Sequence, residues 1–150
     1  ATDYLVEAGG EVRVRGRNAE GNPWRVGIER PDAVPQQAYV VVPLDGLSMA
    51  TSGDYRIYFE EGGRRYSHEI DPATREPVRG SLASVTVVAK DCAWADAMAT
   101  ALFVMGAERG YAYAVEKGMA AFFIERGHGG RLVDRQTPAF AKLGAARVTA

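Results

Sequence analysis

The 150-residue chain has no apolar run approaching the roughly 20 residues of a membrane span. Nor does it have an excess of one charge: 18 lysines and arginines stand against 19 aspartates and glutamates. A nucleic-acid partner or an anionic lipid surface would need clustered basic residues, so neither class is expected. The single cysteine, Cys92, excludes an intrachain disulfide and leaves the compartment unread. Walker and Rossmann glycine patterns are absent, as are solenoid-period repeats and low-complexity segments. There is no initiator methionine before Ala1, and no signal peptide or cap before the first strand-like residues. Further residues are therefore expected upstream.

What is present is enough for one domain with a core. Tyr4 to Val6 and Glu11 to Gly16 read as strands around a Gly9-Gly10 turn, with Val12 and Val14 alternating against Arg13 and Arg15. Arg17 to Pro23 is a turn cluster, and Pro23 to Ile28 returns, so the two flanking strands read as an antiparallel hairpin. Ala38 to Val42 is a continuous apolar strand, and Asp45 to Asp54 mixes a turn with alternating small and apolar residues. Tyr55 to Glu60 and Arg64 to Ile70 are strands around a tight turn at Glu61-Gly-Gly63. Pro72 to Gly80 reads as an irregular loop.

Val85 to Ala89 is a buried strand, and Asp91 is an N-cap for a helix over about Ala93 to Val104 that ends at Gly106. A second helix over about Ala107 to Glu116, a strand over Ala120 to Glu125, a turn at Gly127 to Gly130 and a short strand near Leu132-Val133 follow. The tail from Thr137 is polar or small. Strands, two adjacent helices, then strands predict an α+β domain: a mostly antiparallel sheet with both helices on one face.

Three constellations could carry chemistry. Asp96 and Thr100 stand four apart in the alanine-rich helix and stack on one face. A carboxylate inside an otherwise apolar helix is costly unless paired. Its partner is a hard cation, a basic side chain or backbone donors. Magnesium suits a carboxylate and a hydroxyl, because it takes few protein ligands and completes its octahedron with water and phosphate oxygens. The bland alternative is an Asp–Arg pair and a Thr bonded back to the i−4 carbonyl.

His68-Glu-Ile-Asp71-Pro72 is the second constellation, read with His68 and Ile70 on one strand face and Glu69 on the other. Its histidine and carboxylate suit acid–base work or contact with a phosphate and ribose. The third, Thr51-Ser52-Gly53-Asp54-Tyr55, offers backbone and hydroxyl donors to a polar ligand, and the same composition makes an ordinary turn. Gly9-Gly10 allows close backbone approach. Cys92 reads as a buried, inert thiol, Trp24 and Trp94 as packing residues, and His128 as a turn residue.

Four segments in order carry a resemblance. They are Gly9-Gly-Glu-Val-Arg-Val-Arg-Gly16 leading to Pro23-Trp-Arg-Val-Gly-Ile-Glu-Arg-Pro31, Thr51-Ser-Gly-Asp-Tyr55, His68-Glu-Ile-Asp-Pro-Ala-Thr74, and Ser84-Val-Thr-Val-Val-Ala89 with Ala95-Asp-Ala-Met-Ala-Thr100-Ala101. Together they resemble the flavin transferase (ApbE) family of FAD:protein FMN transferases over residues 4 to about 125, roughly the C-terminal half of such a protein. The resemblance implies a T-fold-like repeat and a single domain over residues 1–150, with the N-terminal half missing. It implies magnesium-dependent cleavage of the FAD pyrophosphate, transfer of FMN to a Thr or Ser of a target flavoprotein, and release of AMP.

By the same resemblance Asp96 and Thr100 are the metal ligands and His68 is the catalytic acid–base residue. Gly9, Gly10, Thr51, Ser52, Gly53 and Asp71 line the cofactor site. The implied location is periplasmic or anchored to the outer face of a bacterial inner membrane through the missing N-terminus, with a cytoplasmic location as the alternative. Two positions depart from the family pattern: Arg75 replaces the glycine of Asp-Pro-x-Thr-Gly, and Glu69 replaces an apolar residue. The isolated chain is expected to be inactive. The alternatives are an FAD-binding protein and a truncated lobe, each without transferase activity.

Overall fold

A computed structural model describes residues 1–55, 58–61 and 64–148. In chain order the strands before the helix pair are β1 (Tyr4–Ala8), β2 (Glu11–Arg15), β3 (Trp24–Glu29), β4 (Ala38–Leu44), β5 (Ser48–Gly53), β6 (Tyr58–Glu61), β7 (Arg64–Ser67), β8 (Ile70–Asp71), β9 (Glu76–Pro77) and β10 (Leu82–Ala89). Then come α1 (Cys92–Met105), α2 (Ala107–Glu116), β11 (Ala120–Arg126), β12 (Leu132–Gln136), α3 (Pro138–Ala141) and β13 (Ala146–Arg147).

A six-stranded sheet in the order β1-β2-β5-β10-β11-β12 forms the middle layer, and a three-stranded sheet β13-β4-β3 lies beside it. The neighbouring strands of both sheets run antiparallel. The expected α+β class is what is observed.

Alternation along the central strands explains the layers. On β10, Val85 and Val87 pack with Ala95, Ala99, Leu102 and Phe103 of α1, and on β11 Ala121 and Phe123 face the same way. From the opposite face Val88, Phe122 and Ile124 pack with Val26, Ile28, Val40, Val42 and Leu44 of the smaller sheet. Phe103, Phe123 and Phe140 are fully buried or nearly so, and truncating any one to alanine costs about 3–5 kcal/mol.

Helix α1 starts where Asp91 accepts a hydrogen bond from the Trp94 amide at 2.8 Å, and it stops at Gly106, whose φ is +82°. Gly110 lets α2 cross closely: a Cβ there would stand 2.6 Å from the Leu102 carbonyl oxygen. The thiol of Cys92 sits half-buried, 3.9 Å from the Val12 carbonyl oxygen.

Several expectations are corrected. The strands now labelled β2 and β3 do not pair along their length; only an isolated Arg17–Pro23 bridge joins their connection. Val12 and Val14 face Val26 and Ile28 across the core from a different sheet. Segment 45–54, expected to mix a turn with alternating small and apolar residues, contains the central strand β5. The tail holds α3 and β13, anchored by buried Phe140 and by Thr137, whose hydroxyl accepts from the Phe140 amide. Residues 72–80, expected as an irregular loop, hold β9, which pairs back onto β8 in a short hairpin. Trp94, expected to pack in or beside the core, is 44% exposed. Of the turn expected at Glu61-Gly62-Gly63, both glycines lie outside the described residues, as do Arg56 and Ile57 of the strand expected before it.

Candidate active-site cleft

The site arises where a strand pairing stops. β2 pairs with β5 only at Val12–Met49 and Arg13–Ser48 before its chain turns away at Gly9-Gly10 into β1. Both glycines have positive φ, +70° and +112°, which the turn requires. On its other edge β5 pairs with β10 along its whole length, from Ser48 to Gly53.

Two hydrogen bonds fix which way the β5 backbone points. The Val14 amide donates to the Leu47 carbonyl at 2.9 Å, and the Asp54 amide to the Ala83 carbonyl at 3.2 Å. Those bonds make Gly53–Ser84 a non-hydrogen-bonded pair. The N–H and C=O groups of Thr51 and Gly53 therefore project from the edge that β2 leaves open.

A cleft of about 380 Å³ occupies this gap. The hairpin tip Gly9-Gly10-Glu11 closes one end, Val26, Gly27 and Glu29 of β3 one side, and Asp96 and Thr100 of α1 the other. Thr51, Ser52, Gly53 and Tyr55 form the floor, and His68 with Glu69 flank it. Gly53 admits no side chain: a Cβ would lie 2.7 Å from the Ala83 carbonyl oxygen and 2.8 Å from the Tyr55 ring.

Within α1, Ala95 and Ala99 face the sheet, so Asp96 and Thr100, each one residue further on, are rotated toward the cleft. The hydroxyls of Thr100 and Ser52 share a hydrogen bond of 2.8 Å, which ties the helix to β5. Those of Thr51 and Thr86 share another of the same length on the opposite face. Asp96 is exposed to the cleft, which removes the premise of a carboxylate buried in an apolar helix; the alanines around it (Ala93, Ala97) are exposed as well. Among the described residues no basic side chain pairs with Asp96, so the bland ion-pair alternative is not realised among them.

His68 and Glu69 also differ from expectation. They follow the end of β7 instead of lying within a strand, so they do not alternate faces. Both line the cleft, with His68 Nε2 3.7 Å from Glu69 Oε1. Asp71 alone of the expected site residues is not among those lining the cleft. Its carboxylate accepts from the Ala73 amide at 2.8 Å and its carbonyl from the Arg75 amide at 2.7 Å, which makes it a turn-former. Arg75, at the position where the family pattern has glycine, adopts φ +60°, a left-handed conformation that glycine takes without strain.

Glu11, Val26, Gly27, Glu29, Met49 and Tyr55 also line the cleft, and sequence reading assigned them no role. All but Met49 fall within the segments that carry the family resemblance, but none was singled out for a role of its own.

The described lining includes four carboxylates (Glu11, Glu29, Glu69, Asp96), the hydroxyls of Thr51, Ser52 and Thr100, and no lysine or arginine. These carboxylate and hydroxyl oxygens suit a hard divalent cation. Among the described residues no three His, Cys, Asp or Glu side chains gather as a metal cage, so such an ion would depend on few protein ligands plus water and substrate oxygens, as magnesium does.

Comparison with known proteins gives a consistent result. The model of the ApbE family matches residues 1–123. A Haemophilus influenzae FAD:protein FMN transferase is 44% identical over 144 residues, covering 95% of this chain and 41% of that protein. An Escherichia coli K12 protein of the same name is 42% identical over 123 residues, covering 82% and 35%. The apo crystal structure of the Pseudomonas stutzeri flavinyl transferase ApbE superposes with a TM-score of 0.80 at 48% identity, covering 95% of this chain and 43% of that one. The Vibrio cholerae flavin transferase ApbE gives 0.81 at 40% identity, covering 95% and 44%. The chain thus spans about two fifths of the length of these relatives.

Proposed function

The chain belongs to the ApbE family, and from that premise we propose that it is the C-terminal lobe of an FAD:protein FMN transferase. In this reading the cleft takes the flavin substrate and its pyrophosphate, FMN passes to a Thr or Ser of a target protein, and AMP leaves. The observation that carries the proposal is the charge of the cleft. Four carboxylates line it and no described lining residue is a lysine or arginine, so a pyrophosphate would be repelled unless a divalent cation entered with it.

Asp96 and Thr100 are the residues we assign to hold magnesium, with Ser52 orienting the Thr100 hydroxyl. Bound there, the metal would supply neutralisation of the charge that builds on the phosphate oxygens. The open N–H and C=O groups of Thr51 and Gly53 would hold polar edges of the cofactor, and the Gly9-Gly10 tip would let it approach closely. His68 is placed to take the proton of the acceptor hydroxyl, with Glu69 beside it.

The test uses a full-length polypeptide carrying this chain, FAD, and a Ser/Thr-bearing acceptor protein. Mass spectrometry should find covalent FMN on the acceptor and equimolar AMP, and both should vanish with chelator and return with magnesium. An acceptor that stays unmodified while FAD binds would instead make the protein a flavin binder.

A further inference from the structure

Behind the cleft floor, on the side turned away from the substrate, lies an ion pair that the proposed chemistry leaves unused. Arg126 is the last residue of β11, and its amide donates to the Ser81 carbonyl at 2.8 Å. Its guanidinium reaches the residue that follows β5: Nη1 stands 2.8 Å from one carboxylate oxygen of Asp54 and Nη2 2.7 Å from the other. This is a two-bond fork, and the side chains are only 29% and 15% exposed.

Asp54 does not face the cleft. It lines a separate cavity of about 230 Å³ with Ser81, Leu82 and Phe103. Its chain neighbours Gly53 and Tyr55 do line the cleft. The backbone between them is tightly constrained, because the Asp54 amide is bound to the Ala83 carbonyl and Gly53 sits against the same oxygen and the Tyr55 ring. Held at its carboxylate by the fork and at its amide by Ala83, Asp54 is fixed at both ends, and its backbone fixes the short connection between Gly53 and Tyr55.

We propose that Arg126 is a positioning residue of the transferase. It acts through Asp54 to aim the Gly53 carbonyl and the Tyr55 ring into the cleft, and so sets affinity for the flavin substrate without taking part in the chemistry. The proposal rests on the reading of the cleft as the FAD site. Two features favour positioning over generic stability. The fork is two-pronged, which fixes direction as well as distance. It also clamps the point where β5 and its open edge both end, next to two residues that line the cleft.

The variants R126M, R126K and D54N, made in the full-length polypeptide, are compared by thermal melting, FAD titration through flavin fluorescence, and steady-state transfer. R126M and D54N should raise the KM and Kd for FAD about tenfold while kcat changes less than about twofold. R126K keeps the charge but not the fork, and should fall between them and the wild type. A Tm loss with Kd and KM unchanged would show the pair to be merely structural and overturn the proposal, as would equal losses in kcat and kcat/KM. R126K keeps the test readable should R126M fail to fold. If the wild type binds FAD but transfers nothing, the transferase reading fails while the Kd series still decides the role of Arg126. A wild type that binds no flavin overturns both.

Discussion

Behind the end of β5, Asp54 is gripped by both terminal nitrogens of Arg126; in front of it, Asp96 faces the cleft with no basic partner among the described residues. Both are aspartates in one small region, and both follow from backbone position. The first closes a gap between strand ends, and its partner comes from the same sheet. The second projects from a helix over a strand edge that no described strand pairs with. A paired carboxylate away from solvent holds structure in place; an unpaired one in a cleft that also offers hydroxyls is available to a ligand.

The largest expected effect separates these two aspartates. Asp96→Ala should lower FMN transfer by at least about 100-fold, and its Tm should stay close to that of the wild type because the group is exposed. Retained transfer with unchanged magnesium dependence would remove Asp96 from the metal site and erase the contrast.

Next comes the glycine between the two regions. Gly53→Ala forces a methyl against the Ala83 carbonyl oxygen and the Tyr55 ring, so denaturant unfolding should show a loss of about 2 kcal/mol, accompanied by weaker FAD binding. A fully stable variant would mean that the floor yields easily and that the close approach is not needed.

A smaller change should leave the cleft untouched. Arg75→Gly relieves a left-handed φ of +60° in the β8–β9 turn and should stabilise the protein by up to about 1 kcal/mol, with transfer unchanged. If transfer moved with stability, the loop carrying Asp71 would have to be counted in the site.

The smallest effect concerns a third carboxylate. Asp134 accepts from the Tyr39 hydroxyl at 2.8 Å and pairs with Arg147, which also donates to the Tyr39 oxygen. Burial, then the hydrogen bond to Asp134, holds the Tyr39 phenol above its ordinary pKa. The fold favours the neutral phenol, so this contribution is intact below about pH 10 and is lost as pH rises through the raised folded value. Tyr39→Phe should flatten the alkaline fall of Tm by a few tenths of a kcal/mol in stability. An alkaline profile identical to the wild type would show that Tyr39 does not titrate in this range.

The two helices and the strands around them were legible because their signals are local. Asp91 caps α1, Gly106 ends it, and the apolar runs of β10 and β11 have the lengths of buried strands. The pairing of β2 and β3 was misread because nearness in sequence suggested a hairpin, while their valines and isoleucine satisfy a core between two sheets. β5 was hidden by its own composition: serine, threonine, alanine and glycine look like a turn until neighbours pair with them.

The candidate site divides in the same way. The residue types at Asp96, Thr100, His68 and Thr51 to Gly53, with their order along the chain, were enough to point to the family. Glu11, Glu29 and Tyr55 lay within the segments that carry the resemblance but were given no role of their own, because their place in the cleft depends on where other strands stop.

By itself, then, the sequence determined the α+β class, the helix pair, the family and the spacing that turns Asp96 and Thr100 to one face. Each of those is written in the short-range order of side chains and backbone caps. Only the tertiary structure decided that β2 leaves β5 after two residue pairs, that Thr51 and Gly53 share one cleft with Asp96 and Thr100 of α1, and that Asp54 is held from behind while Asp96 is not. Those outcomes depend on contacts between residues far apart in the chain, which pack by shape and charge that no local pattern encodes.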